Sequence, residues 1–366
     1  MRQIDPIQPI TIENIRLCIS VDCFKISTIK SFSYFMQDAT IITLLYLFRY
    51  FFLEYIINKY IYLISIFIWS ILTGFWFWCL FVIGHDCGHR TFSENIILCD
   101  IIGHICHTIL LVPFHSWRLS HLHHHLNHNN IDKDIVWKPL TENQYKLWIK
   151  AAKQDWTAFL TYLVRFSICN CLLFPFYLIL DQPIHLTTGN HFNPYSRIFN
   201  SHKENYQGLL SITLVLGFLF NLIYHFSIIT LISWYFIPYI IFTICLSIVT
   251  YLHHTDENLK YYDSNEWTYL KGALSTIDRV YINEYIEYFH HNIGTHIVHH
   301  LFFSSIPHYN LKQASKDVKS NHPKAKLFMK QDRNYNFIIA YWNCINKLLC
   351  IKPIQNNSHV YRYATT

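Results

Sequence analysis

The sequence predicts an all-α integral membrane protein with about four transmembrane helices in two hairpins, plus re-entrant or interfacial helices and a cytosolic cap. Three observations predict it. Apolar residues make up 52% of the 366-residue chain and charged residues only 14%, against roughly 25% charged in a soluble domain. Long stretches carry no charge at all. The remaining charge is a basic excess beside those stretches, as on the cytosolic flanks of membrane spans.

Taken in order, the first candidate span covers about 39–57 and is weakened by Arg49 and Glu54 within it. Residues 60–84, YIYLISIFIWSILTGFWFWCLFVIG, are uncharged and of spanning length, since a hydrocarbon core of about 30 Å needs about 20 residues. Residues 96–114 carry Asp100, His104 and His107, and residues 158–180 carry Arg165, Asn170 and Pro175. Polar groups this dense are costly in hydrocarbon, so both stretches are expected to be re-entrant or interfacial. Residues 208–252 hold no Lys, Arg, Asp or Glu and suffice for two passes, turning near Tyr224 to Ser227. The chain divides into a cytosolic N-terminal segment 1–38, a membrane domain 39–310 and a basic cytosolic C-terminal segment 311–366.

The formal charge of +6 falls mostly in the 133–153 loop (Lys133, Lys138, Lys146, Lys150, Lys153) and after residue 259. It is a topology signal, and with no recognition motif present no nucleic-acid partner is expected. The N-terminus, MRQIDPIQPITIENIRLCIS, lacks a signal-peptide or transit-peptide layout, so the first spans are expected to do the targeting. Eleven cysteines without repeated spacing fit reduced thiols better than a disulfide framework.

The chain has 24 histidines, and their placement carries the chemistry. Three groups stand out: HDCGH (His85, His89), HLHHH (His121, His123, His124, His125) and HIVHH (His296, His299, His300). On a helix, residues i, i+3 and i+4 share a face, so each group offers a pair or a triplet of imidazoles, with His123 pointing elsewhere. Eight imidazoles exceed the four ligands of one zinc site, and the usual cysteine partners are missing. The count argues for two metal ions, each with room for a further ligand. A dinuclear iron centre that activates O2 at a membrane face satisfies it, and copper fits the ligand type equally. One centre requires all three groups on one side of the bilayer, hence an even number of crossings between them. That holds if 96–114 and 158–180 do not cross.

The boxes, their order and their flanks resemble the membrane-bound fatty acid desaturases, most closely the acyl-lipid methyl-end group with its delta-12 (omega-6) and omega-3 enzymes. The similar stretches cover most of the chain: CFKISTIKSFSYFMQD, FVIGHDCGHRTFS, LLVPFHSWRLSHLHHHLNHNNIDKDIVW, HFNPYSRIF, TYLHHTDE, EWTYLKGALSTIDRVY and HHNIGTHIVHHLFFSSIPHY. Asp86 within the first box, His115, LNHNN and HHNIGTH lean toward the omega-3 branch. The resemblance implies two iron ions held by His85, His89, His121, His124, His125, His296, His299 and His300, with His254, rather than His253, as a ninth ligand. His290 is expected just outside the ligand set, and His104, His107 and His115 are expected to hydrogen-bond to box residues. Asp86 and Asp134 are candidates to orient imidazoles through their second nitrogen; the alternative is a solvated or capping carboxylate. Asn310 and Arg90 depart from the family pattern without removing a ligand.

The activity this implies is oxidative. The irons, reduced by two electrons, use O2 to take two hydrogens from neighbouring methylenes of a lipid-linked acyl chain, leaving a cis double bond and water. No HPGG haem motif and no Rossmann glycines are present, so the electrons are expected from a separate cytochrome b5 and its reductase, at the endoplasmic reticulum. The lysine-rich 312–330 region (Lys312, Lys316, Lys319) is the candidate contact; the alternative is a solvated surface that also meets anionic headgroups. A membrane di-iron hydroxylase or acetylenase would use the same ligands. A non-enzymatic metal transporter would place its ligands near the bilayer midplane, whereas these boxes lie at span ends.

Overall fold

Helix starts are written as single polar residues ahead of apolar runs. Ser27 accepts a hydrogen bond from Lys30 N, Asn58 from Tyr60 N and Ile61 N, Asn95 from Ile97 N and Leu98 N, and Ser201 from Glu204 N. Each satisfies donors that a first helical turn leaves unpaired. The computed structural model describes residues 9–156, 173–179, 189–329, 331–332, 336–355 and 358–365. Its first nine α-helices are α1 (Ile12–Cys18), α2 (Thr28–Phe51), α3 (Lys59–His89), α4 (Ile96–Thr108), α5 (Phe114–Asn127), α6 (Glu142–Ala152), α7 (Leu173–Ile179), α8 (His202–His225) and α9 (Ile228–His254), among the described residues.

Of these, α3, α8 and α9 are long and apolar enough to cross a membrane. The pair α8 and α9 turns at Phe226–Ser227, where the charge-free stretch was expected to fold back. The fourth helix of the two hairpins, α2, has 24 residues, about 36 Å, but carries charge. It starts and stops earlier than the expected 39–57 span, because Ser27 caps its start and the chain leaves the helix for a single 3-10 turn at Leu53–Tyr55. Phe32, Met36, Leu44, Leu47 and Phe48 are exposed along it, while Asp38 and Arg49 are buried.

The buried Arg49 has a physical cause in α9. Pro238 has no N–H, so the carbonyls before it lose their helical donor, and the helix widens to a π turn at Ile232–Phe236. Arg49 Nη1 donates to Ser233 O at 2.6 Å and Tyr46 Oη to Trp234 O at 2.9 Å. The guanidinium also meets Glu54 at 2.9 Å and lies over the Trp69 and Trp234 rings. The charged residues that weakened the sequence reading thus fasten α2 to α9.

Helices α3 and α9 cross closely at Gly74, where an added Cβ would meet Ile241 Cβ at 2.4 Å and Pro238 O at 2.5 Å. Small residues permit such contacts between membrane helices. Gly74→Ala is expected to destabilise by about 1–3 kcal/mol through overpacking, read as a lower thermal inactivation midpoint in detergent. An unchanged midpoint would contradict the close crossing.

Helix α4, at 13 residues, is about 20 Å long and too short to span. The chain turns at Leu111 (φ 55°) and enters α5 after Pro113. It thereby returns to the end of α3 from which it left. Of the 158–180 stretch, only Leu173–Ile179 lies within the described residues.

Beyond α9 comes a cap of short helices: α10 (Tyr269–Ala273), α11 (Glu284–Phe289), α12 (His296–Phe302), α13 (His308–Asn321), α14 (Pro323–Phe328) and α15 (Phe337–Lys347). The mostly helical expectation holds, with an addition. Strands β1 (Lys260–Tyr262), β4 (Leu348–Pro353) and β5 (Val360–Thr365) form an antiparallel sheet in the order β1-β5-β4, and β2 (Asp278–Arg279) pairs with β3 (Gln331–Asp332). Aromatic and branched residues suit such half-buried strands, and Tyr363 packs edge-on against Tyr261 at 5.5 Å. The sheet joins the chain end to the segment just after α9. Helix α15 leans on α9 through Tyr341 and Tyr251.

Candidate metal centre

Four chain segments deliver histidines to one place. His85 and His89 close α3, His121, His124 and His125 lie on the last turns of α5, His254 ends α9, and α12 supplies His296, His299 and His300. Five of them, His85, His89, His121, His125 and His299, bring one ring nitrogen each within 4.8 Å of one another, and His124, His254 and His300 do the same in a second group. His296 belongs with the second, its Nε2 lying 3.2 Å from His254 Nε2 and 2.9 Å from His300 Nε2. The boxes are therefore not one metal each. His121 and His125, four residues apart, share a face, while His124 is turned about 100° from His125 and reaches the other group.

The spacing fits metal ligation. Two nitrogens bound at about 2.1 Å and at right angles to one another stand about 3.0 Å apart. In the first group the Nε2 separations are 3.1 Å for His85–His89, 3.0 Å for His89–His121 and 3.1 Å for His121–His125. His299 Nε2 is buried with no hydrogen-bond partner among the described residues. All nine rings are buried except the half-buried His121. Such convergence of lone pairs in a dry site suits cations and little else.

An outer ring of contacts holds the imidazoles. Asp134 Oδ2 accepts from His124 Nδ1 at 2.9 Å, while its Oδ1 accepts from Val136 N at 2.9 Å and Trp137 N at 3.1 Å, so it both orients and caps. Asp86 lies 3.4 Å from His85 Nδ1, and its better partner is His308, whose Nδ1 and backbone N reach Asp86 Oδ2 at 2.9 and 3.1 Å. Trp117 stacks on His121 at 4.5 Å and Trp137 tilts over His254 at 5.5 Å.

Other expectations sort by position. His254, not its neighbour His253, enters a group; His253 stacks on His296 at 4.0 Å instead. His123 is in neither group. His290 Nε2 sits 3.0 Å from Glu287, against Tyr281. Among the described residues no hydrogen bond joins His104, His107 or His115 to a box residue, where such bonds were expected. His107 meets Phe81 O at 3.4 Å and stacks on the Phe81 ring, and His104 and His115 pack on each other beside Phe114. They lie on α4 and the first turn of α5, one or more turns from the box-two imidazoles.

Three functional-looking residues escaped the sequence reading. His128 donates from Nδ1 to His125 O at 2.8 Å and packs 4.4 Å from His300. His308 holds Asp86, and His291 pairs with the buried Asp38 at 2.8 Å, tying α2 to the cap. His128 carried a signal, standing four residues after His124. The other two pairs are 222 and 253 residues apart in sequence and carried none.

Burial, helped by neighbouring imidazoles, pushes His121, His125, His296, His299 and His300 well below the usual histidine range, and His128 down to about 4. They are neutral at pH 7, as metal ligation requires. A depressed folded-state pKa means that, below about pH 6.5, the unfolded chain takes up protons the folded chain refuses. Stability and metal retention are expected to be level above pH 7 and to fall as pH drops below about 6.5. A thermal inactivation midpoint and metal content constant down to pH 5 would contradict this.

A helical membrane protein whose span ends gather histidines at metal-ligand spacing is a narrow class. The chain matches the fatty acid desaturase family over residues 62–333, and it belongs to that family. It is 40% identical over 314 residues, 85% of this chain and 81% of the relative, to an sn-1 acyl-lipid omega-3 desaturase (ferredoxin) of Nostoc sp. (strain 36). It is 39% identical over 321 residues (85% and 78%) to an omega-3 fatty acid desaturase, endoplasmic reticulum, of Vigna radiata var. radiata. An acyl-lipid omega-3 desaturase (cytochrome b5), endoplasmic reticulum, of Arabidopsis thaliana is 38% identical over 318 residues (85% and 76%).

Proposed function

We propose that this chain is an acyl-lipid desaturase that introduces a cis double bond three carbons from the methyl end of a membrane-lipid-linked unsaturated acyl chain. The observation that carries the reading is the convergence of nine histidines, at metal-ligand spacing, where three membrane-level helices and α12 meet. The omega-3 relatives support the position of the bond. Two irons, one for each histidine group, would supply the O2-derived oxidising power that an unactivated C–H bond demands.

The chain's own residues do the rest. His85, His89, His121, His125 and His299 would hold one ion, and His124, His254, His296 and His300 the other. Asp134 fixes the His124 tautomer, with Nδ1 protonated and Nε2 free. Beneath His85 and His121 the rings of Phe81, Trp117 and Phe242 pack into an apolar wall that excludes water. Regioselectivity is a matter of which methylene pair that wall presents. Electrons come from a separate carrier protein, in our reading cytochrome b5 at the endoplasmic reticulum, with the histidines facing the cytosol; relatives are named for both cytochrome b5 and ferredoxin.

Expression in a yeast that makes only monounsaturated fatty acids, with and without added linoleate, tests this. A triene bearing a bond three carbons from the methyl end is expected when linoleate is supplied. A new bond six carbons from the methyl end instead would replace the omega-3 assignment by delta-12. No new diene or triene would sink the methyl-end reading.

A further inference from the structure

A cavity of about 550 Å³ opens between α11, the 292–295 loop, α13 and α14. It shares a wall with the histidine centre, because Asp278, in its lining, accepts from Ile297 N at 2.9 Å at the start of the helix that carries His296, His299 and His300. Lys312, Lys316 and Lys319 line it from one face of α13, spaced i, i+4 and i+7, and Lys326 from α14.

The carboxylates in the lining are engaged within the chain. Asp278 also holds Lys319 Nζ at 2.9 Å, Glu284 pairs with Lys312, and Glu287 accepts from Tyr281 N at 2.7 Å. Arg279 is turned to Leu252 O at 2.7 Å. Lys316 and Lys326 thus remain without a carboxylate partner among the described residues, in a concave and net positive site. Two of the three lysines expected to meet an electron carrier are neutralised internally.

Helix α11, which borders the cavity, also packs on a helix long and apolar enough to cross a membrane. Phe289, at the end of α11, packs 5.6 Å from Trp76, which is nine residues, about 13 Å, back along the spanning helix α3 from His85. Around the cavity, Tyr285 and Leu327 are 78% and 80% exposed, with Ile282, Tyr288 and Phe328 also exposed. Exposed aromatic and aliphatic side chains beside lysines are the signature of a headgroup-level surface.

We propose that this cavity binds the phosphate of an anionic membrane phospholipid, with Lys316 and Lys326 as the charged ligands and the apolar side chains of α11 and α14 against the lipid's acyl region. Concavity and the apolar rim favour a lipid headgroup over the flat acidic face of a carrier protein.

The test uses the full chain in neutral detergent and native mass spectrometry, with dioleoylphosphatidylglycerol and dioleoylphosphatidylcholine as probes. One phosphatidylglycerol per chain is expected to be retained in preference to phosphatidylcholine. Retention should weaken about tenfold or more in Lys316→Glu/Lys326→Glu and stay unchanged in Lys150→Glu, the same charge reversal on α6. If the double variant fails to insert, Lys316→Ala and Lys326→Ala are each expected to weaken retention about fivefold. Equal retention by wild type and variants overturns the proposal, as does equal retention of the two lipids. Displacement of the lipid by inorganic phosphate would make the ligand free phosphate. Lost electron transfer from a reduced carrier protein with lipid retention intact would make the surface a protein dock.

Discussion

His300→Ala is expected to abolish double-bond formation while leaving the protein in the membrane. The His300 ring sits where the two groups meet, with ring centroids 4.2 Å from His125, 4.4 Å from His296 and 5.4 Å from His124. Its Nε2 belongs to the smaller group, where each nitrogen counts for more. Removing it would take away one of the nitrogens proposed to hold metal and open a void in a dry, tightly packed site. The informative control is His123→Ala. That histidine stands inside the same run as His124 and His125 but in neither group, so its removal should leave most of the activity. The measurement is product diene or triene in yeast lipids, normalised to immunoblotted membrane protein. Residual activity in His300→Ala within tenfold of wild type, or equal losses in the two variants, would contradict the assignment.

Asp134→Asn is expected to lower iron retention by about 10- to 100-fold, the usual effect of losing a carboxylate behind a metal-bound imidazole. Asparagine keeps an oxygen for the Val136 and Trp137 backbone donors, so the loop survives. What is lost is the negative charge 2.9 Å from His124 Nδ1, which fixes the tautomer and raises the basicity of Nε2. Retention against a chelator separates this from unfolding. An unchanged chelation rate would reduce Asp134 to a capping residue.

The centre was largely legible in the sequence because helical periodicity is local. HDCGH, HLHHH and HIVHH each announce a helix face, whereas His254, beside His253 at the end of a charge-free run, was reached only through the resemblance to the desaturases. How the faces divide between two groups was not legible, since it depends on helix rotation against neighbours. His308 with Asp86, and His291 with Asp38, are buried pairs across 222 and 253 residues, and nothing in either local sequence calls for the other. The three spans of uniform apolar character read directly. Helix α2 read poorly because its buried charges are answered far away in sequence, Arg49 by a carbonyl ahead of Pro238 and Asp38 by His291. The small sheet was missed for a similar reason: β1 is three residues long, and its backbone partners lie in β5 and in the 129–131 segment, both about 100 or more residues away in sequence.

In the proposed centre, two histidine groups hold two irons in one chain. Iron content per chain, measured by plasma emission on protein purified in detergent and quantified by amino-acid analysis, tests it most directly. Two irons per chain are predicted for the wild type, with one or none in His300→Ala. One iron per wild-type chain, or a stoichiometric metal other than iron, would contradict the account.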